Sequence, residues 1–417
     1  MMREVKSSGI AWIGTIPKCW ETDKLKYHLR RNEPRNPGDV VVLSLYRELG
    51  VIPKDSRDDN HNVTSEDTSK YKYVRPGDFV INKMKAWQGS VAVSEYEGIV
   101  SPAYFVYEFT DDAIFKRYFH YLLRSCYKDE FMRLSGGIRV GQWDLPADAL
   151  ENTPILIPPM DEQRRIADFL DAKCAEIDAL TADIQTQIDT LEQYKRSVIT
   201  ETVTKGLNPD AEMKDSGVQW IGNMPSHWEV IRGKYILRYM QKPVREDDGV
   251  ITCFRDGEVT LRSNRREDGF TMSDKEIGYQ GIDVGDLVVH GMDGFAGSIG
   301  ISDSRGKASP VLNVLDTDQN KRYIMYYLRS MAYSDVFLAL ATGIRVRSCD
   351  LRWNKLADLS YPVPPLGEQE AIVEHIDAVL IKADAVISDK KAQLAALDEY
   401  KKSLIFEYVT GKKGVKI

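Results

Sequence analysis

Cysteine is scarce in this chain, and what there is stands apart. Cys19, Cys126, Cys174, Cys253 and Cys349 form no C-x-x-C pair, which argues against thiolate zinc binding and gives no disulfide framework. The six histidines are equally scattered, so no structural metal is expected. No run approaches 18 consecutive apolar residues, and the opening MMREVKSSGIAW has no apolar core. Neither a membrane span nor an export signal is therefore expected, and a reduced cytoplasm is the natural setting. Catalytic signatures are missing as well. G-x-S-x-G, H-E-x-x-H and the Gly-rich dinucleotide fingerprint do not occur. Lys307 in SRGKAS fails the phosphate-loop pattern, because position 301 is Ile and Ala308 follows the lysine. Asp210, Glu212 and Lys214 only superficially resemble a nuclease carboxylate–lysine set; the acids are too close, and the run sits in a linker. The chain is expected to be non-catalytic and to hold no cofactor of its own.

What is present is an ordinary globular composition, 43% apolar and 29% charged, over 417 residues, which permits two to four domains. A net charge of −7 argues mildly against nucleic acid, since phosphate wants a basic surface. The charges are unevenly spread, however. From Ala113 to Trp143 six basic residues face two acids, and from Asn320 to Lys355 seven face two. Arg232 to Arg245 holds five basic residues and no acid. Solvated helix faces are one explanation and a phosphate-facing surface is the other.

The chain repeats itself. Ser8 to Arg30 (SGIAWIGTIPKCWETDKLKYHLR) and Ser216 to Arg238 (SGVQWIGNMPSHWEVIRGKYILR) share 12 of 23 residues at an offset of 208. Ile157 to Gln163 (IPPMDEQ) matches Val363 to Gln369 (VPPLGEQ) at an offset of 206. Residues 1–155 mix β-rich runs, Val40 to Leu45, Phe79 to Asn82 and Ile99 to Phe109, with one amphipathic helix predicted over about 113–134.

Residues 161–205 read differently. Asp161 is a plausible N-cap, Leu170, Ile177, Ile184, Leu191 and Val198 recur every seven residues, and Ile166, Leu180 and Ile188 widen the stripe. Gly206 suits a stop, and the linker to Gly217 follows. Glu368 to Thr410 repeats the pattern with Ile372, Ile376, Val379, Ala383, Val386, Leu394, Leu397 and Leu404. Each such helix would be roughly 65 Å long at about 1.5 Å per residue and needs a partner. The two either pair with each other or serve separately as oligomerisation handles.

Three matched stretches lie inside the globular parts: 77–90 with 285–298, Ser101-Pro102 with Ser309-Pro310, and 136–159 with 342–365. Within a shared frame the first stretch differs at its tip, with Lys83, Lys85, Trp87 and Gln88 against His290, Asp293 and Phe295. A fixed frame with variable polar, basic and aromatic tips suits the reading of two base sequences, while drift of surface loops is the plainer alternative. Arg139 and Arg345, in a G-I-R-V turn retained in both halves, are placed to fork onto phosphate or guanine, or to pair with Asp144 or Asp350. Gln142, Trp143, Arg347 and Arg352 share those stretches.

Two units opening with S-G-x-x-W-I-G-x-x-P-x-x-W and closing with P-P-x-x-E-Q before a long helix resemble the specificity (S) subunits of type I restriction–modification systems, the HsdS family. The resemblance covers essentially the whole chain. It implies an α+β chain: two duplicated α/β target recognition domains (1–155 and 208–360) joined by two spacer helices (156–207 and 361–417) in an antiparallel coiled coil. Each domain would read one half of a bipartite, asymmetric DNA site. The coil would set the gap and dock two methyltransferase (M) subunits through a surface that includes Leu170, Ile177, Ile184, Leu191, Val198, Ile376, Ala383, Leu397 and Leu404. S-adenosylmethionine would belong to the M subunits, and ATP and Mg to restriction (R) subunits, two where present. A coiled-coil scaffold that does not read DNA sequence is the alternative.

Overall fold

The structure, a computed structural model, describes residues 3–38, 40–47, 49–56, 64–65, 67–137, 143–265, 277–340 and 351–415. The chain divides into two compact units, Met1–Ile184 with Ala392–Ile417, and Gln185–Lys391. Each unit therefore takes one half of each long helix, where the sequence reading had set the helices apart as segments of their own.

Both units are built on the same four-stranded antiparallel sheet. In the first its order is Leu29–Arg31, Tyr104–Phe109, Phe79–Asn82, Val91–Val93. In the second it is Leu237–Met240, Leu312–Thr317, Leu287–His290, Ile299–Ile301. The central strands are apolar at successive positions because both faces are covered. Phe105 and Tyr107 enter the main core, where helix Lys116–Cys126 packs, and Val106 enters a smaller cluster with Leu43, Val74 and Val100. Leu315 and Val314 divide in the same way in the second unit.

The long helices run Met160–Lys205 and Leu366–Val409. Gly206 (φ +74°) and Gly411 (φ +72°) end them in the left-handed region that a side chain would strain. Their pairing is antiparallel. In the first unit Lys401 Nζ lies 2.5 Å from Asp178 and the Phe169 and Tyr408 rings sit 4.4 Å apart. In the second unit Lys195 Nζ lies 2.6 Å from Asp384, and Lys390 bonds Gln187. As one index rises the other falls. Ile166, Leu170, Ile177, Ile184 and Ile188 are buried along one helix, and Ile372, Ile376, Ala383, Ile387 and Leu404 along the other.

The repeated motifs explain this geometry. Gln163, of P-P-x-x-E-Q, is 1% exposed. Its Oε1 accepts from Phe115 N (2.7 Å), and its Nε2 donates to the Ala113 and Pro158 carbonyls (2.8 Å each). Gln369 repeats this, accepting from Asn320 N (2.9 Å) and donating to Pro364 O (2.8 Å) and Gln319 Oε1 (2.7 Å). Each glutamine ties the start of a long helix to the start of its unit's helix, Lys116–Cys126 or Lys321–Tyr333. That same helix grips the other long helix at its end: Tyr118 Oη donates to Val409 O (2.9 Å), and Tyr323 Oη to Val203 O (3.0 Å). One clamp holds a beginning and an ending together, so the two helices must run oppositely. Opening and closing motifs also meet, as buried Trp20 Nε1 donates to Glu162 Oε2 at 3.0 Å.

Several boundaries differ from expectation. The first long helix begins at Met160, so Asp161 lies in its first turn, and the Pro159 carbonyl accepts from Glu162 and Gln163 N. The single helix predicted over 113–134 is two, Lys116–Cys126 and Lys128–Leu134, because fully buried Tyr127 turns out of helical geometry (ψ −1°) to bond Pro154 O. Ile99 to Phe109 splits at Ser101-Pro102, where proline offers no N–H, into Gly98–Val100 and Tyr104–Phe109. The run from Val40 becomes Leu43–Tyr46, in a hairpin with Gly50–Pro53. The 206–217 linker contains Met213–Asp215, paired with Asn223–Pro225 as Val5–Ser7 pairs with Thr15–Pro17. On the helices, Leu180 and Val386 face outward while Ile199, Val203 and Ile387 are buried instead. Leu191, Val198 and Leu397 are half-buried. Among the described residues no helix is long and apolar enough to cross a membrane.

Candidate nucleic-acid interface

Each unit projects a tip where the sheet strand turns back. In the first unit Phe79–Asn82 runs into the single turn Ala86–Gln88, and Gly89 (φ +87°) sends the chain back into Val91–Val93. Asn82 Oδ1 accepts from Met84 N (3.1 Å), and Leu145 N donates to Lys83 O (3.0 Å), bracing the tip against the segment after the G-I-R-V motif. The fold brings three of the sequence-predicted residues, Lys83, Trp87 and Trp143, together here. Lys83 Nζ lies 2.8 Å from Asp144, and Trp87 meets Trp143 edge to face at 5.6 Å. Trp87 Nε1 donates to Met84 O (3.1 Å), and Gln88 accepts from Arg47. Lys85 and Met84 are exposed. Arg139 and Gln142 lie outside the described residues; Gly136 and Asp144, which flank them, exchange backbone hydrogen bonds of 2.9 and 3.2 Å.

The second unit repeats the frame with other chemistry. Leu287–His290 leads into Gly294–Ala296, and Leu351 N donates to Gly291 O (2.8 Å), as Leu145 does to Lys83. His290 Nδ1 accepts from Met292 N (3.2 Å) and Asp293 N (2.9 Å), and burial pushes its pKa down despite Asp293, so the ring is neutral and turned into the tip. Asp293 accepts from Arg255 (3.1 Å), and Phe295 packs on the unit's core. Arg352, exposed at the start of Trp353–Asp358, has its side chain beside Gly291. Arg345 and Arg347 lie outside the described residues.

Sequence reasoning missed Arg47 and Arg255, which hold Gln88 and Asp293, and it missed Arg31 and Lys72, which share an aromatic ring with Lys83. No motif surrounds them, and only strand pairing brings them to the tips. Met84 and Met292, both exposed at offset 208, were legible as a repeated exposed methionine within the matched stretch.

A family model described as the type I restriction modification DNA specificity domain matches residues 27–190. The putative type I restriction enzyme MjaX specificity subunit of Methanocaldococcus jannaschii is 25% identical over 97% of this chain and 96% of its own length. The MjaVIII specificity subunit of the same organism is 24% identical over 96% and 94%. Among solved structures, a chain of a type I restriction–modification assembly superposes with a TM-score of 0.68, at 16% identity over 95% of this chain and 99% of that one. The HsdS subunit of Thermoanaerobacter tengcongensis superposes with a TM-score of 0.50, also at 16% identity, over 95% and 98%. Over residues 27–190 this chain matches the DNA specificity domain of type I restriction–modification systems, and over nearly its whole length it is similar to their specificity subunits.

In this chain the side chains predicted to dock partners are largely spent on the helix–helix seam. Leu170 and Ile376 are fully buried, and Ile177, Ile184, Ala383 and Leu404 nearly so. Apolar groups that remain outward include Leu180 and Tyr400 in the first unit and Tyr194, Leu366, Ile381 and Val386 in the second. Of these, Leu180 with Val386 and Tyr194 with Tyr400 are equivalent at the repeat offset of 206.

Proposed function

We propose that this chain is a specificity subunit that reads a bipartite, asymmetric DNA site, one half with each unit, and that its paired helices set the gap between the half-sites. One observation carries the reading: a single braced frame is built twice, with Lys83, Lys85, Trp87 and Trp143 at one tip and His290, Asp293, Phe295 and Arg352 at the other. Equal frames with unequal chemistry are what two different half-sites require. Arg139 and Arg345 contribute phosphate or guanine contacts from the G-I-R-V motifs, with Gln142 and Arg347 beside them.

Two methyltransferase subunits dock on the outward pairs Leu180–Tyr400 and Tyr194–Val386, since a patch retained twice fits two copies of one partner. S-adenosylmethionine belongs to those subunits, and ATP with Mg to restriction subunits where present. The chain works in the cytoplasm and supplies no catalytic group. The test is to reconstitute it with its methyltransferase and map the methylated sequence in genomic DNA. A split motif with unlike halves and a fixed gap is expected. Equal binding of cognate and random duplexes would leave a scaffold that joins partners without reading DNA.

A further inference from the structure

Three cations of the first unit converge on one aromatic ring. Arg31 Cζ lies 4.5 Å from the Phe105 centroid, Lys72 Nζ 5.5 Å and Lys83 Nζ 5.9 Å. One carboxylate organises two of them: Glu33 Oε1 lies 2.9 Å from both Arg31 Nε and Lys72 Nζ, and its Oε2 accepts from Arg31 Nη2 at 3.0 Å. Burial works against ionisation of Glu33, but the bonds from Arg31 and Lys72 prevail and hold its pKa below the usual carboxylate range. Glu33 and Lys72 are recessed, with side chains 18% and 13% exposed, while Arg31 at 41% and Lys83 at 30% stand in front of them.

At the equivalent positions the second unit carries none of these charges. At offset 208 the four positions are Tyr239, Gln280, Gly291 and Asn313. The comparison separates scaffolding from charge. Lys72 Nζ donates to Tyr104 O, and in the same place Gln280 Nε2 donates to Leu312 O at 2.8 Å. A neutral amide suffices for that carbonyl contact, so the positive charge at Lys72 is not required by it and is shared with Glu33 and the cations beside it. Lys83 belongs to the recognition tip, and its pair with half-buried Asp144 is a weak, solvent-screened one that an incoming anion displaces.

We propose that Arg31, Lys72 and Lys83, gathered on the Phe105 ring, seat a phosphodiester of the first half-site, a contact the second unit lacks. The proposal rests on the DNA-recognition reading above. Phosphodiester is favoured over a base edge because Glu33 already occupies Arg31 Nε and Nη2. The guanidinium has fewer directed donors left for a base, while three cations against the two carboxylates of Glu33 and Asp144 leave the cluster net positive.

The experiment measures binding of cognate and scrambled duplexes by the chain assembled with its methyltransferase subunits, across a series of KCl concentrations. The variants are Arg31→Gln, Lys83→Gln and Lys72→Gln, the last copying Gln280, and each is checked for a wild-type urea midpoint. Both duplexes should weaken together, about five- to tenfold for Arg31→Gln, and the slope of log K against log salt should fall by about 0.9 per phosphate lost. The methylated motif should stay the same. Unchanged affinity and slope in all three variants would overturn the proposal. So would a motif loosened at one position with the slope intact, which marks a base contact. A wild-type assembly that binds no DNA would overturn the recognition reading itself.

Discussion

Replacing Gln163 by Leu removes the clamp between recognition domain and spacer at little change in volume. Three hydrogen bonds of 2.7–2.8 Å vanish, leaving the Phe115 N–H and the Ala113 and Pro158 carbonyls buried without that partner. At about 1–3 kcal/mol for a buried polar group left unpaired, the loss should be about 3–5 kcal/mol, against about 5–15 kcal/mol for a whole domain. Gln369→Leu should cost somewhat less, about 2–4 kcal/mol, because one acceptor there is the Gln319 side chain, which can turn to another partner. Urea unfolding followed by tryptophan fluorescence reads the loss, and hydrogen exchange at Phe115 N locates it. Exposed Gln185→Leu, on the same helix, is the control and should shift stability by no more than about 0.5 kcal/mol. Gln163→Glu should not rescue, since it keeps the acceptor but sets a carboxylate against two carbonyls. A loss below about 1 kcal/mol for Gln163→Leu, or rescue by Glu, would refute this account of the E-Q motif.

One heptad inserted into each long helix at opposed points, after positions 186 and 391, lengthens the coil by about 10 Å and should widen the gap in the methylated motif by about three base pairs; an unchanged gap in the mapped motif would end the ruler reading. Tyr194→Ser with Tyr400→Ser should leave folding within about 0.5 kcal/mol yet weaken methyltransferase association at least tenfold, read by calorimetric titration, whereas unchanged affinity would place docking elsewhere. Burial, with the Arg124 guanidinium adding to it, pushes the His120 pKa down to about 4. The unfolded chain takes up this proton first, so the stability it contributes is complete above about pH 6.5 and is lost as pH falls toward 4. The first unit should lose about 2 kcal/mol by pH 5 from this group, and His120→Gln should flatten that dependence in urea midpoints; an unaltered slope would exclude His120 as its source.

The duplication, the long helices and the ends marked by Gly206 and Gly411 were legible because they are local or periodic. Seven-residue spacing and a left-handed glycine act over one or two turns. The seam was harder to read. Leu180 and Val386 fit the apolar pattern but face outward, because a two-helix pair buries a stripe narrower than the one the residues could form. The tip residues were found as a set through the internal repeat, yet their partners were not. Lys83 with Asp144, Gln88 with Arg47 and Asp293 with Arg255 bridge 38 to 61 residues of chain, with no periodic signal between them.

Sequence by itself determined that this protein is one unit made twice, joined through heptad helices and lacking recognisable catalytic motifs, since repetition and periodicity survive as text. The family resemblance implies that the helices run oppositely, and tertiary structure decided what enforces it, because Gln163 with Tyr118, and Gln369 with Tyr323, fasten one helix beginning and one helix ending to a single short helix. It also decided which side chains of a shared frame are engaged in bracing the tips and which face outward. Those outcomes depend on hydrogen bonds between residues far apart in the chain, and such bonds exist only once the chain has folded.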